Sequence, residues 1–509
     1  MSELAPLPDG SLSRRVGAGM LWSQASKMVE VTLTFGTAVL VIRGLNPLGF
    51  GTYSLLTNLA GAASVFIPVV TSDSLGAYLP RLGSNPERLF IVLLVAVLRA
   101  AVILVVTLTA LALWKDLAAA IGTTGLPLKV GIVAACYWIS LDMLNTVSGY
   151  YSAELEIRPL AVWRTVGLSA TLAAVVALAA TNSFTTVRVL VAVGGGYAIA
   201  AAGLVAGLRR AGAPRRAEAG RIREALAFTP HTWLIGVLGF TLATQIDILL
   251  IGALTDSPAE AAYYATAVGV VGRAQILLMS GWAGLIIPAF GHTVLREANV
   301  QLRNAWRRAA QLLLLVSLPI NALLLVNAHA LVRELFGVTY DPAGRLLVWV
   351  CAFNLATSLL VNPVCVGALW ALDAQRTLAL FRVAAAVLNL ALAFALIPRY
   401  GALGAVIATG ASAVTSAAVE YELSRRRGAN SYPVPVAVAG AAAAALSILP
   451  SLLVGSAGKP GLVAGLVAGV VVYVAVLLAM RPLRADDVAA AAAIHPVLDN
   501  RVLRAFSRR

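Results

Sequence analysis

Long apolar runs, separated by short polar segments, constrain this chain more than any other feature. A helix that crosses a bilayer needs about 20 predominantly apolar residues. Only 12% of the 509 residues are charged, against about 25% in a typical soluble domain. The sequence therefore predicts an all-α polytopic membrane protein. The fourteen predicted spans lie at about 16–42, 51–71, 88–114, 127–151, 160–181, 185–208, 228–253, 260–290, 307–330, 343–371, 377–397, 401–424, 433–455 and 460–480.

Basic residues between these runs alternate in density along the chain. With the N-terminus placed in the cytoplasm, the inner segments carry 25 Lys and Arg residues and the outer segments carry 7. Cytoplasmic loops are the ones rich in Lys and Arg, so this bias predicts fourteen helices with both termini in the cytoplasm. Topology also accounts for most of the net charge of +15, and we expect no nucleic-acid partner.

Cysteine and histidine offer no sign of a bound metal or cofactor. Cys136, Cys351 and Cys365 all lie in apolar stretches and form no CxxC motif, while the four histidines are scattered. Structural zinc sites need four such ligands at short, regular spacings. We expect no disulfide framework, no metal and no cofactor.

An internal repeat divides the chain into two halves. The segment RPLAVWR at 158–164 matches RTLALFR at 376–382, and VLVIRGL at 39–45 matches ILLIGAL at 248–254. Six helices per half start both halves on the same side of the membrane, which predicts parallel repeats related by an axis along the membrane normal. The predicted domains are an N-terminal lobe at 1–208, a basic cytoplasmic linker at 209–227, a C-terminal lobe at 228–424, helices thirteen and fourteen at 433–480, and a basic tail at 481–509.

Two shorter stretches carry structural predictions. In GLVAGLVAG, the residues Gly461, Gly465 and Gly469 are spaced for close packing between helices. In the tail, apolar positions recur between arginines, which fits either an amphipathic helix on the membrane surface or a frayed basic terminus.

Four segments resemble a known family. GLNPLGFGTYSLL (44–56), DILLIGALTDSPAEAAYYATA (247–267), LFGVTYDPAGRLL (335–347) and IPRYGALGAVIATGAS (397–412) occur in the order found in Wzx-type polysaccharide flippases of the MOP superfamily. The multidrug and toxin extrusion (MATE) transporters and the lipid II flippases are relatives of that family. Asn46 departs from the pattern, which more often has Gly before the Pro.

The resemblance implies a fold, a substrate and a set of partners. The fold would be two six-helix lobes in a V-shaped, MATE-like arrangement around a central cavity, with two extra C-terminal helices. The substrate would be a polyprenyl-pyrophosphate-linked oligosaccharide, moved to the outer leaflet of a bacterial cytoplasmic membrane by alternating access. Some members couple transport to a proton or sodium gradient. Implied partners are membrane lipids and the glycosyltransferases or polymerase of the same pathway.

Ionisable and amide side chains inside the predicted spans are the candidate site residues, because such groups are costly in lipid and usually face a cavity or a partner. An anionic pyrophosphate favours Arg and Lys. We therefore predict one substrate-binding set and one set for counter-charge or ion coupling. The first is Lys27, Arg99, Arg273, Asp142 and Asn145, and the second is Glu30, Asp247 and Gln245.

Several of these residues have a structural alternative. Lys27 and Glu30 are three residues apart and are expected to form one intrahelical pair if they do not bind substrate. Asp247 lies near a helix end, where it would serve as a cap. Arg164 and Arg382 recur in the repeat, which favours a shared role in which both side chains extend to the cytoplasmic headgroups.

Three rival functions remain open at this point. A lipid II flippase shares the helix count, and a MATE-type exporter of small cations would prefer an acidic interior. A membrane glycan polymerase would need a large outer loop with catalytic groups, but the longest predicted outer segments, such as 331–343, have only about 12–16 residues. We therefore expect a transporter and not an enzyme.

Overall fold

The computed structural model describes most of the helical part of the chain. The described residues are 9–67, 79, 85–154, 156–208, 214, 218, 220, 233, 236–237, 239–242, 244–279, 300–372, 374–454, 458–484 and 507–508. The chain divides into two compact units, Met1–Ala262 and Tyr263–Arg509.

Unit 1 holds the first eight described helices and the beginning of the ninth. They are α1 (Asp9–Gly44), α2 (Pro47–Phe66), α3 (Asn85–Ala112), α4 (Trp114–Ala120), α5 (Leu128–Ala153), α6 (Ile157–Ala180), α7 (Thr186–Leu208), α8 (Thr244–Thr255) and α9 (Pro258–Met279).

Unit 2 contains the rest of α9, nine further described helices, a 3₁₀ turn (Val338–Tyr340) and two short strands. The helices are α10 (Val300–Val326), α11 (Ala328–Phe336), α12 (Asp341–Leu359), α13 (Asn362–Ala371), α14 (Gln375–Tyr400), α15 (Ala402–Arg426), α16 (Val434–Ser447), α17 (Leu449–Val454) and α18 (Gly458–Met480). The strands β1 (Leu483–Arg484) and β2 (Ser507–Arg508) pair in parallel.

Within the described residues, ten helical segments are long and apolar enough to cross a membrane. They coincide with ten of the fourteen predicted spans, and most boundaries agree within a few residues. The other four predicted spans fall on α1, α2, α8 and α9, so the total of fourteen stays a prediction. The all-helical, multi-pass character of the protein is confirmed.

The core of unit 1 is built around α7. This helix packs against both α5 and α6, and α6 in turn packs against α1. Leu190, Leu204 and Ala201 of α7 are fully buried. Part of the surface of the unit is apolar as well: Leu104, Val105 and other side chains of α3 are exposed, as expected for a surface that faces lipid hydrocarbon.

The first two segments that carry the family resemblance contact each other inside unit 1. Gly51 of α2 lies so close to the Pro258 backbone that a Cβ would overlap it, and Gly252 of α8 lies against Leu55 and the carbonyl of Ile121. Glycine permits this approach because it has no side chain. These glycines therefore let α2 and α8 pack closely.

In unit 2, α10 packs against α12 and α16, and α16 packs against α18. Trp306 of α10 is completely buried in this core. A Cβ on Gly465 would lie 3.0 Å from Ser451 Cα, and one on Gly469 would lie 2.6 Å from the Ser447 carbonyl. The predicted close packing of the glycine stretch in α18 is thus confirmed at these two positions.

Three expected features differ in detail. The predicted outer loop at 331–343 is largely helical, because Ala328, Val332 and Phe336 form a buried stripe along α11. The predicted span at 343–371 is interrupted, with Val361 at φ 48° and Pro363 in the first turn of α13. The predicted span at 433–455 is interrupted at Ile448, just before Pro450.

Some predictions lie outside the described residues. These are most of the linker 209–227, much of the first part of the predicted span 228–253, the ends of the predicted spans 51–71 and 260–290, and most of the tail beyond β1. The proposed domain boundaries, including the linker, stay predictions.

Candidate functional site

Two charged side chains of α1 form an ion pair within the helix. Lys27 Nζ lies 2.7 Å from Glu30 Oε2, and the two side chains are 38% and 29% exposed. A pair three residues apart on one helix face is the expected geometry for such neighbours. The structure therefore brings Lys27 and Glu30 together while leaving both partly accessible.

Arg164 extends the charged group from α1 to α6. Its terminal nitrogen donates a long hydrogen bond, 3.5 Å, to Ser148 Oγ of α5. Its Nε is buried and has no hydrogen-bond partner among the described residues. Glu30 and Arg164 both lie within electrostatic range of the Tyr197 hydroxyl on α7. Arg164 thus contacts Ser148 of α5 and lies near Tyr197 of α7, and its extension to the headgroups stays a prediction.

We call Lys27, Glu30, Arg164, Ser148 and Tyr197 the unit-1 polar cluster. It contains two cations and one carboxylate, and no described carboxylate forms a salt bridge with Arg164. A guanidinium with a buried N–H donor that has no described partner favours an anionic acceptor. The cluster therefore carries one positive charge in excess.

Arg99 and Asp142, both predicted substrate-binding residues, are paired with each other. Arg99 Nε donates to Asp142 Oδ2 at 2.9 Å and a terminal nitrogen donates to Oδ1 at 2.5 Å. The side chains are only 7% and 3% exposed. The same guanidinium also donates to the Ser64 carbonyl of α2 at 3.1 Å. This bidentate pair ties α2, α3 and α5 together and leaves no net charge.

The remaining predicted residues lie on α5, α8 and α9. Asn145 is half-buried on α5, one turn after Asp142, and Gln245 is exposed on α8. Asp247 is completely buried in the first turn of α8. Arg273 of α9 donates to the Gly269 carbonyl of its own helix at 2.9 Å. Whether these residues contact substrate stays a prediction.

Unit 2 contains a charged group that the sequence analysis missed. Glu420 of α15 is 2% exposed and accepts from Asn362 Nδ2 of α13 at 2.5 Å and from Arg382 Nε of α14 at 3.4 Å. Ser416 lies 3.4 Å from the same carboxylate. The available signal was an acidic residue near the end of an apolar run, Glu420 in SAAVEYEL, although nothing there identified its partners.

A family model described as "Polysaccharide biosynthesis protein" matches residues 40–344, which is more than half of the chain. The chain belongs to this family. The match includes α5, α6 and α7, and therefore most of the unit-1 polar cluster, but it begins after Lys27 and Glu30. The family resemblance expected from the four sequence motifs is confirmed. No curated protein matches the chain significantly.

The chain is similar in fold to several solved structures. The lipid II flippase MurJ, in an inward closed conformation, aligns with a TM-score of 0.63 at 10% identity, over 91% of this chain and 97% of MurJ. An inward-facing multidrug resistance MATE transporter of the MOP superfamily aligns at 0.56 with 14% identity, over 81% of this chain and 93% of that one. A MOP superfamily transporter from Pyrococcus furiosus, whose binding pocket has reverse polarity, aligns with a TM-score of 0.54 at 12% identity, over 81% of this chain and 95% of that one. The chain therefore has a MurJ/MATE-like fold.

Proposed function

We propose that this protein flips a polyprenyl-pyrophosphate-linked oligosaccharide from the cytoplasmic to the outer leaflet of a bacterial cytoplasmic membrane, for the synthesis of a cell-surface polysaccharide. Membership in the polysaccharide biosynthesis family and the MOP fold support a flippase or transporter. The observation that carries the substrate class is the excess positive charge of the unit-1 polar cluster, on Lys27 and Arg164.

The chemistry of the substrate explains why such a cluster is useful. A pyrophosphate and its sugars are polar and are rejected by hydrocarbon, so they need polar partners during passage. Arg164 offers planar donors that fit phosphate oxygens, and Lys27 offers a compact point charge. In this proposal the two cations hold the pyrophosphate while alternating access moves it. Glu30 neutralises Lys27 when substrate is absent.

A lipid II-type substrate is the second candidate. It carries the same pyrophosphate linkage, and the aligned share of this chain is larger for MurJ, at 91%, than for the MATE transporter, at 81%. Export of small cations fits less well, because a cationic substrate is repelled by a cluster with excess positive charge. Partners in the proposal are membrane lipids and the glycosyltransferases or polymerase that make and use the glycan.

The test combines a deletion with a reconstituted assay. Deletion of the gene should cause a polyprenyl-linked glycan to accumulate on the cytoplasmic side, seen by mass spectrometry of extracted lipids. Purified protein in liposomes should then expose a fluorescent polyprenyl-pyrophosphate sugar to an externally added glycosidase faster than protein-free liposomes do.

Two results would overturn the proposal. One is a deletion strain with a normal surface glycan and lower resistance to cationic dyes, which would indicate an exporter. The other is accumulation of lipid II alone, which would assign the protein to the second candidate function.

A further inference from the structure

A nearly wholly apolar cavity lies inside unit 1, apart from the polar cluster. It has a volume of about 200 Å³, is lined by α2, α3, α4 and α5, and is only partly enclosed by them. Small residues on three helices, including Ala63, Ala110 and Ala134, provide its width. Apolar cavities in proteins stay dry and accept hydrocarbon, and one of about 150 Å³ is known to hold benzene. By proportion, this cavity has room for about eight carbon atoms of a chain.

The two tryptophans that line the cavity present only their ring carbons to it. Trp114 Nε1 donates to the Leu126 carbonyl at 3.0 Å, and Trp138 Nε1 donates to Ser64 Oγ at 2.8 Å. Both indoles are buried. Because their N–H groups already have partners, these side chains act as apolar walls.

One residue of the lining carries a hydroxyl group, Thr107. Thr107 is 7% exposed, and its Oγ1 is buried without a hydrogen-bond partner among the described residues. Two residues later, Thr109 donates to the carbonyl of Val105 at 2.9 Å, the usual solution for a hydroxyl on a helix. A buried hydroxyl without a partner is costly. Thr107 therefore points to a ligand that brings a hydrogen-bond acceptor into the cavity.

The depth of Thr107 in the bilayer narrows the choice of acceptor. The span Pro86–Ala112 has 27 residues and is about 40 Å long at 1.5 Å per residue. That length matches a whole bilayer with its interfacial regions, around a hydrocarbon core of about 30 Å. Thr107 lies five residues from Ala112, or about 8 Å along the axis. It is therefore near the boundary of the hydrocarbon core, where the ester carbonyls of glycerophospholipids lie.

We propose that this cavity binds one acyl chain of a glycerophospholipid, with the first carbons of the chain inside it and the ester carbonyl accepting a hydrogen bond from Thr107 Oγ1. An isoprenoid chain is the other hydrocarbon that this protein meets under its proposed function. That chain has no oxygen along its length, so it fills the cavity but leaves Thr107 without an acceptor. The acyl ester fills the cavity and also provides the acceptor.

The test uses photo-crosslinking in lipid nanodiscs. The full-length protein is irradiated with phosphatidylethanolamine that carries a diazirine in the first half of one acyl chain, and a parallel sample contains a diazirine-labelled polyprenyl phosphate. Peptide mass spectrometry locates the adducts. We expect the phospholipid probe to label the cavity segments of α3 and α5, and the polyprenyl probe to leave them at background.

Four variants test the contribution of the cavity and that of the hydroxyl separately. Ala134→Phe fills the cavity and should abolish labelling there, and Ala63→Leu fills it from another helix if Ala134→Phe does not fold. Thr107→Val should lower labelling roughly threefold to tenfold, the value of one hydrogen bond. Thr109→Val is the matched control and should change nothing, because its hydroxyl already bonds its own helix.

The proposal is overturned by any of three outcomes. Equal labelling in the folded Ala134→Phe and Ala63→Leu proteins places the lipid elsewhere. Labelling unchanged by Thr107→Val removes the role of the hydroxyl. Stronger labelling by the polyprenyl probe makes the occupant an isoprenoid. None of these results bears on the flipping assay, so this proposal and the proposed function fail separately.

Discussion

Arg164 and Arg382 occupy the same position in the internal repeat, but their surroundings differ. Arg382 of unit 2 contacts the buried carboxylate of Glu420, which also accepts from Asn362. Arg164 of unit 1 has only a long hydrogen bond to Ser148, and its Nε has no partner among the described residues. One copy of the repeat therefore neutralises its arginine, and the other leaves its charge in excess.

The difference follows from the residues that face each arginine. Glu420 lies on α15, the helix that follows the arginine helix in unit 2. At the same offset from Arg164, unit 1 has Ala202 on α7. The carboxylate of the unit-1 polar cluster is Glu30 on α1, which already pairs with Lys27. A repeated arginine thus supports packing in one unit and offers free binding capacity in the other.

The buried Arg99–Asp142 pair is the reference for this comparison. Breaking it should cause the largest loss of stability among the variants. Asp142→Ala leaves a buried guanidinium without its counter-ion, which costs about 3–5 kcal/mol. We expect a lower thermal unfolding temperature and less folded protein in fluorescence-detected size-exclusion chromatography.

The control for this prediction is the double variant Arg99→Met, Asp142→Leu. Replacement of both charges by apolar groups removes the stranded cation and should restore most of the stability. If Asp142→Ala alone has wild-type stability, the pair does not stabilise the fold. It then cannot be the reference against which the partly paired Arg164 is compared.

The next largest effect is expected at Glu420. Glu420→Ala removes the acceptor of Asn362 and the counter-charge of Arg382, and should cost about 2–3 kcal/mol. The cost is smaller than for Asp142, because the Arg382 side chain is 40% exposed and can be solvated in part. Thermal unfolding of the purified protein is the measurement.

Ser416→Ala is the matched control at this site. It removes only a hydroxyl 3.4 Å from Glu420 and should change stability by no more than about 0.5 kcal/mol. Equal losses in both variants would show that the carboxylate has no special role, and the two repeat arginines would then be equivalent.

Much of the fold was predictable, because each span is a long apolar run with few alternatives in lipid. Interruptions within a run were harder to predict. Val361 with positive φ and the break before Pro450 leave the hydropathy of their spans unchanged. The amphipathic α11 was taken as a loop, because a short helix at a membrane boundary is too polar to be recognised as a span.

The site was predictable only in part. Sequence position identified Lys27, Glu30, Arg99 and Asp142 as intramembrane charges, and the i, i+3 spacing predicted the first pair. The contact between Arg99 and Asp142 joins residues 43 apart, so it depends on how α3 packs against α5. For the same reason the positions of Ser148 and Tyr197 beside Arg164 could not be predicted from the sequence, and the assignment of Arg164 to the headgroups stays a prediction.

The comparison itself is tested by substituting the two repeat arginines in the same way. Arg164→Gln should change stability by no more than about 1 kcal/mol, while the flipping rate falls about tenfold or more, the value of a charged hydrogen bond to phosphate. Arg382→Gln should reverse this order, with a larger loss of stability and a flipping rate near wild type per folded molecule. Similar behaviour of both variants would contradict distinct roles.

The smallest effect on stability is expected at the Lys27–Glu30 pair. Substitutions at this pair show whether Lys27 binds substrate together with Arg164 or only neutralises Glu30. An exposed i, i+3 pair contributes about 0.2–0.5 kcal/mol, and a Lys that precedes its Glu is the weaker orientation. Lys27→Ala and Glu30→Ala should therefore unfold at nearly the wild-type temperature. Their transport should differ, because Lys27→Ala removes a cation that the pyrophosphate needs, whereas Glu30→Ala removes only its competitor. We expect the flipping rate at equal protein amounts to fall for Lys27→Ala and to be unchanged or higher for Glu30→Ala. Equal losses of transport in the two variants would make the pair structural and would leave Arg164 as the sole cation supporting the proposed site in unit 1.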